Sequence, residues 1–407
     1  MKLAKLSLAA IVALGVSAFA DVENVKFSGN AKLYYGTNDM DPNDLFDQKN
    51  SYGQAAANIA MTADLADGVA GKIRVTGLST LGLENNLVSN VWAGATSRNG
   101  NFVGTSAQWW VSEAWLAGTL GNTTIKVGRQ ELDTPLAFSE KWNIAENTFD
   151  AAVILNNDLP ETTLVAAWVG RGNGSAGQVV YGIENGTDPF DTYAKELGGE
   201  GAYAVAAVTK LIPYTTAQVW YYNVVQVAQA WWLQGDINLD EVAPGLTAGI
   251  QYANIDPDAS GADTSSAIAL KLGYTVENGL KLAAAYSTTD EDGAVPIANT
   301  ATGLIGAQSK LYTEAWWNYG YVGRPDTDTF MISAEYNMED VADFYAQYTN
   351  SDGGRKAGNV DMSEFTLTAS KSFGSLDTTL AYIYTDADDQ NNADSYNTIQ
   401  VYLTYNF

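Results

Sequence analysis

The sequence predicts an all-β fold, a transmembrane antiparallel β-barrel of about 18 strands with an inward-folded constriction loop. Three observations support this prediction. The final segment alternates apolar and polar residues, about eighteen such segments recur along the chain, and short turns alternate with long polar connections. A barrel in a bilayer requires the alternation, because one face of each strand meets lipid and the other meets the lumen.

The final segment, 396–407, shows the alternation most clearly, and its last residue is the aromatic Phe407. A strand of a soluble antiparallel sandwich can alternate in the same way, so this segment alone leaves both folds open. The apolar face comprises Ile399, Val401, Leu403, Tyr405 and Phe407, and the polar face comprises Thr398, Gln400, Tyr402, Thr404 and Asn406.

The other period-2 segments are bounded by Gly, Asn, Asp and Pro, which favour turns. Their total is even, as expected for a single-chain bacterial barrel. The segments lie near 25–36, 53–65, 69–79, 107–119, 123–130, 148–157, 161–171, 201–211, 214–225, 228–239, 245–255, 264–276, 279–289, 328–338, 341–350, 361–373, 375–385 and 395–407.

The connections between these segments are sorted by length. Outer-membrane barrels have short periplasmic turns and long external loops, whereas a sandwich has no reason to sort its loops by side. Short turns are predicted at 67–68, 121–122, 157–160, 277–279, 338–340 and 374–375, and long connections near 37–52, 80–106, 131–147, 172–200, 256–263, 290–327, 351–360 and 386–394.

Residues 1–20 have the composition of a secretory signal peptide. Lys2 and Lys5 precede an apolar run, and Ala18-Phe19-Ala20 fits a cleavage signal, so we expect a mature barrel domain over 21–407. The apolar run, 6–16, is too short for a membrane anchor. Cleavage would change the formal charge from -26 to -28, which argues against nucleic acid as a partner.

The chain contains no cysteine and no histidine. This excludes disulfides, thiolate or imidazole metal sites, and hydrolysis that uses a Ser–His pair. No carboxylate or Ser–Lys catalytic motif is found, so we expect no enzyme and no cofactor. The acidic groups Asp290-Glu291-Asp292, Asp386 with Asp388 and Asp389, and Asp39 with Asp41 and Asp44 could hold a divalent cation, but solvated turns are favoured.

Charged residues within the segments are expected to face the lumen, because a charge on the lipid face is costly near mid-membrane. Some of them could instead be hydrated at strand ends. The inward set comprises Lys26, Lys32, Lys72, Arg74, Glu113, Lys126, Asp236, Lys271, Lys281, Glu335, Asp343 and Glu364.

Connection 131–147 is the candidate constriction loop, because it is long and contains apolar residues that a loop in water would not need. Those residues are Leu132, Leu136, Phe138, Trp142 and Ile144. Folded into the barrel, the loop would bury them and place acidic groups opposite a basic wall, an arrangement that sets ion selectivity. An external loop that supports its neighbours is the alternative. The predicted pore-lining residues are Glu131, Asp133, Glu140, Lys141 and Glu146 from the loop, and Arg74, Lys126 and Arg129 from the wall.

Residues 128–135, with Gly128-Arg129-Gln130 followed by Thr134-Pro135, resemble the corresponding stretch of OprD-type porins, as does the following run 147–151. The chain is also similar to the related major outer-membrane porins of eighteen strands. The resemblance implies a trimeric channel in the bacterial outer membrane, reached through the periplasm. It also implies an inward loop at 131–147 and a ladder of basic residues, including Arg129, that guides carboxylate-bearing solutes.

The sequence departs from this pattern because it has only six arginines, at positions 74, 98, 129, 171, 324 and 355. A sparse ladder in an acidic protein favours general diffusion of small hydrophilic solutes and ions, with a preference for cations. Outer-membrane lipid and lipopolysaccharide are the expected surroundings. An alternative function is a surface adhesin whose long loops, near 80–106 and 290–327, bind partners while the barrel only anchors them.

Overall fold

The computed structural model describes residues 22–89, 96–98, 101–103, 107–141, 144–173, 190–194, 198–302 and 307–407. The predicted signal peptide, Trp142 and much of the connections 80–106 and 172–200 lie outside the described residues. None of the described helices is long and apolar enough to cross a membrane.

Eighteen antiparallel strands form the wall, and each predicted segment corresponds to one of them. They are β1 (Glu23–Asn38), β2 (Ser51–Ala66), β3 (Val69–Ser79), β4 (Ala107–Leu120), β5 (Thr123–Gln130), β6 (Phe149–Asn156), β7 (Thr162–Gly172), β8 (Ala202–Thr209), β9 (Thr215–Val224), β10 (Ala228–Asn238), β11 (Leu246–Pro257), β12 (Ser265–Thr275), β13 (Lys281–Thr289), β14 (Thr327–Met338), β15 (Ala342–Gly353), β16 (Met362–Phe373), β17 (Leu376–Ala387) and β18 (Tyr396–Asn406).

The wall closes on itself. Strand β1 pairs with β18 in antiparallel register from Asn30 opposite Asn406 to Asn38 opposite Thr398. Closure removes the free sheet edges, whose unpaired backbone groups could not be satisfied in lipid. The predicted eighteen-stranded barrel is therefore confirmed.

Apolar and polar residues separate between the two faces of the wall. Phe27, Ile73, Leu116 and Val127 are 43 to 55% exposed on the outer face. The inner face carries polar side chains that are almost fully covered, including Gln251. Because side chains alternate along a strand, a run that is apolar at every second residue places all of these residues toward lipid.

Connection 131–148 folds into the barrel, as predicted. Leu132, Leu136, Phe138 and Ile144 are all no more than 8% exposed. Leu136 packs in an apolar cluster with residues of the inner wall such as Trp232. Burial of these side chains stabilises the inward position of the loop by about 1.5 to 3 kcal/mol per large apolar residue.

A second connection, 290–326, also lies inside the barrel, and this corrects its assignment as an external loop. Ile297, Leu311 and Val322 are at most 2% exposed, and all three belong to the cluster that contains Leu136 and Trp232. The adhesin interpretation is therefore wrong for most of this loop, because its apolar residues are covered by the inner wall and by the first loop.

Candidate functional site

A β-bulge in β4 positions the basic residues of the wall. Arg74 is opposite Glu113 but Val75 is opposite Val111, so Ser112 is an extra residue in β4. Both Ser112 and Glu113 consequently face inward, and their exposed fractions are 1% and 3%. Bulges commonly redirect side chains in this way next to functional sites.

The bulge holds the guanidinium of Arg74 from one side. Arg74 Nε lies 3.0 Å from Ser112 Oγ and 3.1 Å from Glu113 Oε1. The same carboxylate oxygen lies 2.7 Å from Lys72 Nζ. Glu113 thus balances two cations of β3 within the wall.

The other side of the guanidinium binds the two ends of the first inward loop. Arg74 Nη1 lies 2.7 Å from Glu131 Oε1 and 3.2 Å from Glu146 Oε2. Lys32 on β1 adds a bond of 3.0 Å to the other oxygen of Glu146. Lys141 in the loop bonds to Glu131 as well. Charges from β1, β3 and both ends of the loop therefore form one network.

The network keeps Glu131 ionised. Burial alone would raise the pKa of the Glu131 carboxyl, but the bond to Lys141 and the positive charges of Lys141 and Arg74 outweigh it and lower the pKa to about 2. Charge-assisted bonds of this kind favour the charged form of the acid.

Lys126 on β5 faces the lumen beside this network. Its ammonium lies 4.3 Å from the centre of the Trp115 ring, and Trp115 Nε1 donates to Glu113 Oε2 over 3.1 Å. Among the ion pairs of the described residues, none involves Lys126. Lys126 is thus held by a cation–π contact of the wall rather than by a carboxylate.

Asp133, two residues after Glu131, bonds to Lys310 of the second inward loop. Its side chain is 88% exposed. The Lys310 ammonium lies 4.8 Å from the centre of the Phe138 ring, and the Lys310 carbonyl accepts from Gln251 Nε2 on β11 over 2.8 Å. An ion pair that joins the two loops is therefore open to solvent inside the barrel.

The predicted role of Glu140 is wrong. Its side chain is 3% exposed and does not line an opening. Glu140 instead accepts hydrogen bonds from Asn299 Nδ2, over 3.0 Å, and from Thr302 Oγ1. Asn299 also donates to the Phe138 carbonyl over 2.9 Å. Glu140 therefore ties the two inward loops to each other, because a buried carboxylate needs such donors.

The predicted role of Arg129 is also wrong. Arg129 bonds to Asp150 of β6 over 2.8 Å and to the carbonyl of Val111 over 2.8 Å. Asp150 lies between Phe149 and Ala151, which are buried inside the barrel. By strand alternation, Asp150 takes an outward position and Arg129 is its register partner. The Arg129 guanidinium also lies 3.4 Å from the centre of the Phe190 ring, so Arg129 is held by Asp150, Val111 and Phe190 and is separate from the network around Arg74.

Sequence reasoning placed Glu364 in the lumen but missed its function in the site. Glu364 is 1% exposed on β16. Its carboxylate accepts from the backbone nitrogen of Asn318, over 2.7 Å, and from that of Trp317. The wall thus anchors the second inward loop through a glutamate. The only sequence signal was a charged residue at an inward position of a strand.

Glu314 was also missed, because the second inward loop was assigned to the exterior. Its carboxylate accepts from the Ser309 nitrogen over 3.1 Å and from the Ser309 hydroxyl. Burial raises the pKa of Glu314 well above its ordinary value, and the negative charges of Glu140 and Glu364 act in the same direction. Three carboxyl groups therefore lie near one another where the second loop docks.

Comparison with known proteins identifies the family. A family model described as Gram-negative porin matches residues 7–407. This chain is a member of the Gram-negative porins. It is accordingly an outer-membrane channel protein, and the predicted family and localisation are confirmed. No similar sequence is found among curated proteins.

Solved porins of the OprD and Occ type share the fold of this porin. Pseudomonas aeruginosa OccK3 (OpdO) aligns with a TM-score of 0.70 at 14% identity, over 94% of this chain and 96% of that one. Acinetobacter baumannii OccAB4 gives 0.71 at 12% identity, over 94% and 98%. Pseudomonas aeruginosa OpdK, solved with vanillate, gives the same values. At these identities the likeness concerns the fold alone.

Proposed function

We propose that this porin allows passive diffusion of small hydrophilic solutes and ions, with a preference for cations. The observation that carries the proposal is an inner wall of polar side chains, narrowed by two loops that are joined by a solvent-exposed ion pair, Asp133 with Lys310. Passage through such a barrel requires no covalent chemistry from the protein, and a chain without histidine or cysteine is consistent with a channel.

The preference for cations is supported by the acidic turns at one end of the barrel. The eight short turns, which the porin architecture places on the periplasmic side, contain eight carboxylates and one lysine, Lys210. The acidic residues are Asp67, Asp158, Glu161, Asp240, Glu241, Glu277, Glu339 and Asp340. A mouth of one charge sign concentrates ions of the opposite sign.

The basic residues of the wall oppose this preference only weakly. Arg74, Lys32 and Lys72 each lie within 3.2 Å of a carboxylate oxygen. A closely paired cation exerts a much smaller field on a passing ion than an isolated one, because the field of its partner cancels most of it. The acidic mouth therefore determines the overall sign.

We also propose a homotrimer, which the resemblance to OprD-type porins implies. Small outward residues on β8 to β10 support it, because they form a shallow apolar depression of about 370 Å³ between neighbouring strands. Small residues allow two protein surfaces in a membrane to approach closely. The depression is lined by Ala207, Thr209, Ala217, Val219, Leu233, Gly235, Ile250 and Tyr252, with parts of Gln218 and Gln234. Cross-linking in native membranes should give a three-subunit ladder, and monomers alone would contradict the trimer.

The test of the channel function is single-channel recording in planar bilayers. We expect stepwise conductance, and a reversal potential in a potassium chloride gradient that has the sign of a cation-preferring pore. Detergent without protein serves as the control. A barrel that stays silent at all voltages would overturn the proposed function, and clear anion preference would overturn the proposed selectivity.

A further inference from the structure

We propose that the solvent-exposed ion pair between Asp133 and Lys310, where the two inward loops meet, tunes the ion selectivity of this channel, because loss of either charge leaves the other uncompensated in the lumen. The inference rests on the proposed channel function and names the residues that tune it. The net charge of the protein acts at the mouths of the barrel, whereas a permeating ion in the narrowed part of the lumen meets individual charged side chains.

Two cations of the wall, Arg74 and Lys32, are covered and compensated. The side chains of Arg74 and Lys32 are 12% and 15% exposed. Arg74 contacts three carboxylates, from Glu113, Glu131 and Glu146. A cation in this arrangement has little surface and little uncompensated field to offer a solute.

Asp133 is the most exposed of the ion-paired side chains in the described part of the chain. Its exposed fraction is 88%, and that of Lys310 is 32%. Lys141 is also exposed, at 58%, but its ammonium lies between Glu131 and Glu146 against the wall network. Among the described residues, neither Asp133 nor Lys310 forms an ion pair with any other residue.

The pair of Asp133 and Lys310 has a fixed position in the lumen. Lys310 is held through its carbonyl by Gln251 on β11, whereas the ends of the first loop are held by β1 and β3. In a closed wall of eighteen strands, β3 and β11 are nearly opposite each other. Asp133 is two residues from Glu131, which contacts Arg74 on β3, and Lys310 is held by β11, so the pair lies in the lumen between these two parts of the wall.

Removal of the two charges should change the cation-to-anion permeability ratio in opposite directions. Without the Lys310 ammonium, Asp133 would attract cations unopposed, so the cation-to-anion permeability ratio should rise. Without the Asp133 carboxylate, Lys310 would repel cations, and the ratio should fall. Each change should be about threefold, because both groups are accessible to a permeating ion where the two loops narrow the lumen.

The experiment compares reversal potentials in potassium chloride gradients for Lys310→Gln, Lys310→Met and Asp133→Asn. Lys310→Met retains an unbranched side chain that can pack on Phe138, so agreement between the two Lys310 variants assigns the effect to charge and not to folding. The matched controls are Lys281→Gln, which removes an exposed lysine paired with Glu335 on the strands, and Lys72→Gln, which removes a wall cation paired with Glu113.

We expect the two Lys310 variants to raise the ratio about threefold, Asp133→Asn to lower it about threefold, and both controls to change it by less than about 1.5-fold. Unchanged reversal potentials in both Lys310 variants, or a larger shift in Lys72→Gln, would overturn the inference while leaving a conducting porin. Absence of conductance in the unmodified protein would instead overturn the proposed function.

Discussion

At the residue scale, Arg74 is the central group of the site, because its side chain contacts the wall and both ends of the first loop. Its three carboxylate partners come from β4 and from two loop positions separated by fifteen residues, Glu131 and Glu146. A guanidinium can serve all of them because its donors point in several fixed directions, which an ammonium cannot match. The position of the loop therefore depends strongly on a single arginine.

Replacement of Arg74 by Gln should destabilise the barrel by about 1.5 to 3 kcal/mol, because the covered carboxylates of Glu113 and Glu146 would lose charged hydrogen bonds and keep only Lys72 and Lys32. Thermal unfolding in detergent, followed by circular dichroism, measures the effect. Lys141→Gln is the matched control, since Lys141 is 58% exposed and an exposed pair contributes at most about 1 kcal/mol. Equal losses in the two variants would contradict the central role of Arg74.

The Glu131 carboxyl should make the first loop sensitive to acid. Its pKa is lowered to about 2 by Lys141 and Arg74 against the effect of burial, so the folded state binds fewer protons than the unfolded state. The stabilisation is complete above the ordinary value of 4.5 and is lost as the pH falls from there toward 2.

Unfolding midpoints measured between pH 2 and pH 6 should therefore decline toward acid more steeply in the unmodified porin than in Glu131→Gln. Glu277→Gln, in the exposed turn between β12 and β13, controls for a general effect of acid. If Glu131→Gln loses stability toward acid as steeply as the unmodified protein, Glu131 does not cause the acid dependence.

At the element scale, the two inward loops behave as one unit that is docked at several places around the wall. The first loop is fixed by Lys32 and Arg74, and the second by Glu364 and Gln251. Between them, the Thr300 nitrogen donates to the Leu136 carbonyl over 2.8 Å. Because buried polar groups must all find partners, release of one loop would leave donors of the other unsatisfied.

Docking of the second loop should weaken as the pH rises. Burial and the charges of Glu140 and Glu364 raise the pKa of Glu314, so the folded state binds more protons than the unfolded one. Stability is then highest below the ordinary value of 4.5 and falls as the pH increases through the raised folded value. Ionised Glu314 would repel the other two carboxylates.

Trp316 and Trp317 follow Glu314 closely in the loop. Their fluorescence, recorded as a function of pH in the folded protein, should report the weaker docking of the loop. Glu314→Gln should reduce the pH dependence, whereas Glu291→Gln, at an exposed position of the same loop, should preserve it. If the fluorescence of Glu314→Gln changes with pH as in the unmodified porin, ionisation of Glu314 does not control the docking of the second loop.

At the scale of the whole molecule, the wall was predictable from sequence and the loops were predictable only in part. Every strand of the wall was predicted, because the alternation of apolar and polar residues is a local signal that assigns each residue to the lipid or the lumen face. Glu140 and Asn299 are 159 positions apart, and no local pattern encodes which of two polar loops fills a lumen. The error at Arg129 arose from a resemblance in a short motif, although the strand's own alternation assigns this residue outward.

The barrel should also depend on a glycine at the seam between its first and last strands. Gly29 and Phe407 exchange two backbone hydrogen bonds, of 2.9 and 3.0 Å. A Cβ atom at position 29 would lie 2.4 Å from the Asn58 carbonyl oxygen and 2.6 Å from the ring of Phe407. The backbone contact cannot be relieved by rotation of a side chain, so strands β1, β2 and β18 would have to move apart.

Gly29→Ala should therefore destabilise the closed barrel by about 1 to 3 kcal/mol, the usual cost of overpacking. The folded fraction is measured by the shift in gel mobility between unheated and heated samples after refolding into detergent. Gly118→Ala is the matched control, because a Cβ atom there would approach only the Gly68 carbonyl oxygen, at 3.8 Å. If the two variants fold equally well, the close approach at the seam does not limit closure. A selective loss in Gly29→Ala would show that closure requires the absence of a side chain at this position.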